Sequence, residues 1–205
     1  GTGGHGHVFV GANVPYGAVQ LGPNNISTSW DWVSGYHISD STIMGFAHQH
    51  LSGTGIGDLG DIVFLPYTGG LTFDRGVAGD PQSGAYSVFQ RSTERVQPGY
   101  YAVHLDRFGA DVEINLDAGI AWEGAKEGHF VVENDTVVSG YRYSMGWAKD
   151  QKIYFTATFS APIRETQLAD SSSMKEGTSL TAKRAYAALT FDKLPQGEEL
   201  LIKVA

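Results

Sequence analysis

The chain has no cysteine. Disulfides, thiolate metal sites and cysteine nucleophiles are therefore excluded, although this alone does not fix the compartment. Basic residues are few, 14 Lys and Arg against 22 Asp and Glu, for a formal net charge of −8. Nucleic acid and anionic lipid select basic patches, so neither is an expected partner. Neutral or cationic ligands suit the chain better. No apolar run reaches eighteen residues, so no helical membrane span is expected. Helical periodicity is scarce, and there is no internal repeat or low-complexity tract. An initiating methionine and a signal peptide are also missing, and residues 200–205 end inside an apolar strand pattern. Both ends are thus expected to be internal to a longer protein.

What is present is glycine, 27 of 205 residues, with 12% aromatic residues and 41% hydrophobic residues, enough for a sizeable core. The alternation of apolar and polar positions predicts strands. They are expected at 18–23, 43–48, 61–66 (apolar on both faces, hence central), 100–105, 110–116, 129–133, 136–143, 153–159, 180–191 and 199–204. The stretch 180–191 is also rich in alanine, but Leu189 and Phe191 continue an alternation, so a strand is preferred. Turn signals fall at Pro15-Tyr16-Gly17, Gly69-Gly70, Gly76 and Asp80-Pro81. The segment 92–95 has the form of a capping box with no apolar helical run behind it and is discounted. The serine run makes 169–177 a solvated loop. Strand starts roughly ten residues apart predict an all-β class, an antiparallel β-sandwich or barrel with few or short helices.

Five of the seven histidines stand in the first fifty residues, at 5, 7, 37, 48 and 50. His5-x-His7 and His48-x-His50 each place two imidazoles on one face if the backbone is extended. Three readings follow: a transition-metal site, a hydrogen-bonded loop network, or recognition of a polyhydroxyl ligand by neutral imidazoles. No Asp or Glu completes a metallo-hydrolase pattern, because Leu51 and Ser52 follow His50. Trp30-Asp31-Trp32 reads either as a buried aromatic pair or as a sugar site, with a flat apolar platform beside a hydroxyl acceptor. The two tryptophans are not expected to point the same way, so at least one aromatic is expected to face outward. Glycines 53, 55, 57 and 60 lack the lysine and helix of a phosphate loop and suit close backbone approach. Asp58 and Asp61 are candidate hydroxyl acceptors or turn caps. Asp111, Glu113 and Asp117 read as a solvated face. No general acid and base pair declares itself.

Several stretches together resemble glycoside hydrolase family 92. They are Gly1-Thr2-Gly3-Gly4-His5-Gly6-His7, Pro15-Tyr16-Gly17, Trp30-Asp31, Ser34-Gly35-Tyr36-His37-Ile38-Ser39-Asp40 and Gly45-Phe46-Ala47-His48-Gln49-His50-Leu51-Ser52-Gly53-Thr54-Gly55. Gly60-Asp61-Ile62, Pro98-Gly99-Tyr100-Tyr101, Ser139-Gly140-Tyr141-Arg142 and Gly146-Trp147-Ala148-Lys149-Asp150-Gln151 extend the likeness along the chain. There are departures: Tyr16 stands where Phe is commoner, and Val33 where Cys is frequent. Glu113 runs straight into Ile114, where relatives carry a further strand or two with Thr, Arg and His.

The resemblance implies that residues 1–205 are the N-terminal β-sandwich domain, of the galactose-mutarotase-like supersandwich type, of an inverting, exo-acting α-mannosidase. It implies α-mannose-containing glycans as substrate. A second, (α/α)6 barrel domain is implied to pack on this one and to hold the catalytic carboxylates and Ca2+. Neither catalytic nor metal-binding residues are then expected in this chain. Gly4, His5, Trp30, Asp31, Trp32, His48 and His50 are the expected substrate-pocket contributors. A secreted or periplasmic bacterial setting is implied, with the signal peptide outside these residues. The competing reading is a free-standing carbohydrate-binding module.

Overall fold

The computed structural model describes residues 1–14, 16–67, 72–74, 77, 80, 83–107, 111–121, 124–171 and 173–205. The turn signals at Pro15, Gly69-Gly70, Gly76 and Pro81 lie outside them, as do the expected strand start at Ala110 and the loop residue Ser172. The described chain is built of short strands and two single-turn 3-10 segments, Trp30–Trp32 and Arg91–Thr93.

In chain order the strands are β1 (Gly22–Asn24), β2 (Thr42–Ile43), β3 (Gly45–Ala47), β4 (Val63–Tyr67), β5 (Ser87–Val88), β6 (Arg95–Gln97), β7 (Tyr100–Ala102) and β8 (Asp111–Asn115). They continue with β9 (Ala125–Asn134), β10 (Val137–Ser144), β11 (Gln151–Phe159), β12 (Ile163–Ala169), β13 (Met174–Lys175), β14 (Ser179–Ala182), β15 (Tyr186–Phe191) and β16 (Ile202–Val204). A seven-stranded sheet, β1-β3-β4-β8-β15-β12-β13, faces a five-stranded one, β14-β9-β10-β11-β16, and all pairings are antiparallel. This is the expected all-β sandwich.

Its core follows from period-two alternation. Phe64, Val112, Ile114, Ala187, Leu189 and Leu168 point inward from the larger sheet, and Phe130, Val138, Phe155, Ala157 and Phe159 from the smaller. Each fully buried phenylalanine contributes about 1.5–3 kcal/mol through the area it removes from water. β4 lies between β3 and β8, the central place its two-sided apolar run predicts. A second small cluster of Tyr36, Ile43, Phe89 and Leu105 packs beneath the β2–β5 pair.

Three expectations need correction. Residues 180–191 are not one strand: β14 joins the smaller sheet and β15 the larger, so the chain crosses between layers at Lys183-Arg184. Residues 163–169, given no element by pattern, form β12, held beside β15 by pairs such as Leu168 with Ala187. Glu113 is not on a solvated face. It points away from the core, but residues Thr72, Tyr86 and Arg107 close over it, and Phe73 packs on Tyr186 at 5.0 Å between ring centroids. Glu113 is left 3% exposed, and burial pushes its carboxyl up to about 8.

Among the described residues no helix is long and apolar enough to cross a membrane.

Candidate functional site

The loops before and between the first strands are tied together at one end of the sandwich. Gly53 N–H donates to the His7 carbonyl at 2.6 Å, Ile38 N–H donates to the Thr2 carbonyl at 2.8 Å, and Trp30 Nε1 donates to the Gly55 carbonyl at 2.6 Å. The N-terminal glycine-histidine loop, the Trp30–Trp32 turn and the glycine loop after His50 thus share one surface.

That surface gathers His5, His7, Trp30 and Asp31. The His5 Nδ1 to Asp31 Oδ1 distance is 2.5 Å, with the imidazole 74% and the carboxylate 26% exposed. This hydrogen bond first, and then the charges of His5, His37 and His7, hold Asp31 below the usual carboxylate range against the opposing effect of burial. With Asp31 ionised, His5 Nδ1–H is the donor, which leaves Nε2 for solvent or a ligand. The His7 ring meets Trp30 edge-on at 4.2 Å, and the His5 ring lies 5.3 Å from Trp30. Trp30 remains 53% exposed. An apolar ring with a large open area therefore lies beside a fixed anion and an exposed imidazole.

Two backbone details hold this arrangement. His7 is left-handed, with φ of 49°, a conformation that costs a β-carbon-bearing residue about 1–2 kcal/mol. The Gly53 hydrogen bond and the Trp30 contact retain it there. Its Nε2 is buried without a hydrogen-bond partner, 3.8 Å from Asp31 Oδ1. At Gly55 an added Cβ would stand 3.1 Å from Trp30 Cζ2, a contact tight enough that the indole would have to shift by a few tenths of an ångström.

The other predicted residues fall elsewhere. Trp30-Asp31-Trp32 is a 3-10 turn, capped by the Ser29 hydroxyl accepting from Asp31 N–H at 3.4 Å. Side chains in such a turn diverge by about 120°, not by the strand alternation expected from the sequence. Trp32 consequently turns away, stacks on His37 at 4.4 Å and donates Nε1 to Asp40 at 2.8 Å. Gly4 reaches the same side, its carbonyl 3.3 Å from His37 Nε2. His48 faces the gap between the sheets against Phe64, at 5.3 Å, and burial lowers its pKa.

His50 is only 3% exposed. Its Nδ1 lies 2.7 Å from the Gln20 carbonyl and its Nε2 2.5 Å from Asn24 Oδ1, and its ring stacks on Phe9. Desolvation pulls it down to about 4. Each nitrogen lies against a buried oxygen, and the neutral imidazole donates to one of the two, so it is a post for the loops, closed off from solvent. β3 stops at Ala47, so His48 and His50 do not share a strand face.

Asp58 and Asp61 also serve the scaffold. Asp58 accepts from Leu59 N–H, Trp147 N–H and Gln151 Nε2 at 2.8–3.0 Å. Asp61 pairs with the fully buried Arg142, whose Nε donates to the Leu116 carbonyl at 2.7 Å. The glycine loop is thereby pinned to β10 and to the β10–β11 turn. His7, paired with His5 by pattern but not among the expected pocket contributors, joins the site; Arg142, an inward charge on a strand that otherwise alternates normally, was missed by pattern.

The family model of the glycosyl hydrolase family 92 N-terminal domain matches residues 1–116 and 109–205. The chain belongs to this family. The two matches overlap on β8, the place where the sequence runs short of the family pattern at Glu113-Ile114. Among solved GH92 structures, the α-mannosidase BT3965 of Bacteroides thetaiotaomicron, in complex with mannoimidazole, is 30% identical over the whole of this chain and 31% of its own, with a TM-score of 0.92. The GH92 glycosyl hydrolase ccman5 shares the fold at 23% identity and a TM-score of 0.79, over 94% of this chain and 29% of that one. The inverting GH92 mannosidase BT2199 of Bacteroides thetaiotaomicron does so at 23% and 0.77, over 98% and 28%. This GH92 domain thus spans about a third of the length of the proteins it matches. No curated protein sequence matches it.

Proposed function

We propose that residues 1–205 are the sandwich domain of a two-domain, inverting, exo-acting α-mannosidase that removes terminal mannose from α-mannosides, and that this domain supplies one wall of the sugar pocket. The observation that carries the reading is the exposed Trp30 ring beside the His5–Asp31 pair, on a GH92 domain whose relative BT3965 is an α-mannosidase solved with mannoimidazole. The indole offers a platform for the C–H face of a pyranose. Asp31 accepts a hydroxyl, and His5 orients Asp31 while presenting Nε2 to a second one. Gly55 lets the backbone approach the ring.

These residues bind and orient, and they move no proton. Inversion uses an acid and a base about 6.5–9.5 Å apart with a water between. That pair is assigned to an (α/α)6 barrel domain packed on this one. The calcium associated with the family does not fit this chain: among the described residues no three His, Asp or Glu are grouped to hold a metal, and Asp58 and Asp61 are engaged by Trp147, Gln151 and Arg142. No step is derived through it, and its ligands are placed on the barrel. A secreted or periplasmic enzyme completes the proposal.

The test is hydrolysis of α-mannobiose with calcium, by the 205-residue chain alone and by the full-length protein. Full-length enzyme is expected to release mannose of inverted anomeric configuration, read by NMR, and the isolated domain to release none. Substantial turnover by the isolated domain overturns the assignment of the catalytic groups. The exposure of Trp30 favours one second reading, a carbohydrate-binding module. Calorimetry of the isolated domain with mannose oligosaccharides separates the two, because half a pocket binds weakly whereas a module binds by itself.

A further inference from the structure

His7 bears two costs at once. Its backbone is left-handed, and its Nε2 is buried with no hydrogen-bond partner among the described residues. Strain and unpaired buried polar atoms persist where the surroundings hold them, and they gather at ligand sites. The contacts that hold this loop do not use Nε2. Gly53 N–H donates to the His7 carbonyl, and Trp30 meets only the edge of the ring. An apolar ring would serve both contacts without burying an unpaired nitrogen.

The His7 side chain is 6% exposed, and Nε2 itself is sealed from solvent. Its partner must therefore be a group already packed beside it. Asp31 Oδ1 stands 3.8 Å away, and a closure of about 1 Å brings it to hydrogen-bond distance. The same oxygen is bonded on its outer side to His5 Nδ1 at 2.5 Å. The His5 imidazole is 74% exposed, so this single bond leaves the carboxylate free to turn.

We propose that His7 is a positioning residue for Asp31. When a sugar hydroxyl engages the carboxylate, Oδ1 closes onto His7 Nε2–H and is held between two imidazoles, His5 at the surface and His7 beneath. Two N–H donors on Oδ1 fix the plane of the carboxylate, and Oδ2 is the oxygen left to accept from the sugar. The donor that is unpaired at rest is matched in the bound state, so its bond favours binding. The role rests on the sugar wall proposed for this surface, since it acts through Asp31.

The test compares His7→Gln with His7→Met in the full-length enzyme, both checked as folded by circular dichroism. The two side chains match in length and both lose the ring against Trp30, but only glutamine ends in an N–H donor. With α-mannobiose, kcat/KM of His7→Met is expected to lie about tenfold or more below that of His7→Gln. In an Asp31→Ala background the two are expected to be equal, because the donor then has nothing to hold. Equal values for the two single variants, while Asp31→Ala lowers kcat/KM, overturn the role of His7 and leave the sugar wall standing. No loss from Asp31→Ala overturns both. A difference between Gln and Met that persists without Asp31 also overturns the proposal, because His7 then acts on the ligand directly. Should His7→Met not fold, His7→Asn takes its place, since asparagine tolerates the left-handed backbone and is too short to reach Asp31.

Discussion

Asp31 is an anion held by a neighbour 26 residues away in sequence, and His5 is the exposed half of that pair. Removing either affects a ligand differently. In the full-length enzyme Asp31→Ala is expected to lose about 1.5–3 kcal/mol of transition-state binding, the range for a hydrogen bond to a charged group, or about 10- to 150-fold in kcat/KM. His5→Gln keeps a donor for Asp31 and is expected to cost less than tenfold. Equal losses would show that the ligand contact of the histidine is worth as much as that of the aspartate. His50 is the contrasting case, an imidazole kept neutral. Its folded pKa of about 4 lies below the ordinary 6.5, so the unfolded chain binds the extra proton in between. Its contribution is full above pH 6.5 and falls away as pH drops towards 4. Relative to His50→Asn, the natural chain is expected to lose about 2 kcal/mol between pH 7 and pH 5, measured by urea unfolding.

At the scale of elements, what matters is how loops without regular structure are held. The glycine loop is pinned by Asp58 to the β10–β11 turn and by Asp61 to Arg142 inside the sandwich. Arg142→Met leaves a buried carboxylate without its cation and is expected to destabilise by about 3–5 kcal/mol in thermal or urea unfolding. The paired change Asp61→Leu with Arg142→Met is expected to recover much of this, since both desolvation penalties vanish together.

β8 carries the opposite kind of group. Glu113, raised to about 8, binds a proton in the folded state that the unfolded chain releases near 4.5. Its stabilising effect is therefore present at acid pH and declines as pH rises through 8. Glu113→Gln is expected to stabilise by about 4 kcal/mol more at pH 8.5 than at pH 5, read by urea titration at the two pH values.

At the scale of the whole domain, the sandwich is a scaffold that gathers His5, His7, Trp30 and Asp31 on one loop surface, the wall proposed for the sugar pocket. Most of the scaffold was legible in the sequence. β9, β10 and β11 fall where alternation puts them, because a strand buried on one face repeats its apolar residues with period two, and β4 falls on the continuous apolar run of a strand buried on both faces. β12 was not legible, because Arg164-Glu165-Thr166-Gln167 is polar on both sides and is a strand only through its pairing with β15. Nor was the burial of Glu113, since the cover comes from residues 72–107, distant in sequence.

The sequence by itself determined the all-β class, the absence of thiol chemistry and the clustering of histidine, tryptophan and glycine in the first sixty residues. These are properties of composition and short-range period, and local sterics and solvent preference suffice to express them. Only the tertiary structure decided which of those residues meet. Trp30 and Asp31 join His5 while Trp32 turns to Asp40, because a 3-10 turn fans its side chains. His50 goes inside, where its nitrogens lie against the Gln20 carbonyl and the Asn24 side chain. Such choices rest on hydrogen bonds closed between loops and on a left-handed residue at His7, and neither leaves a periodic trace along the chain.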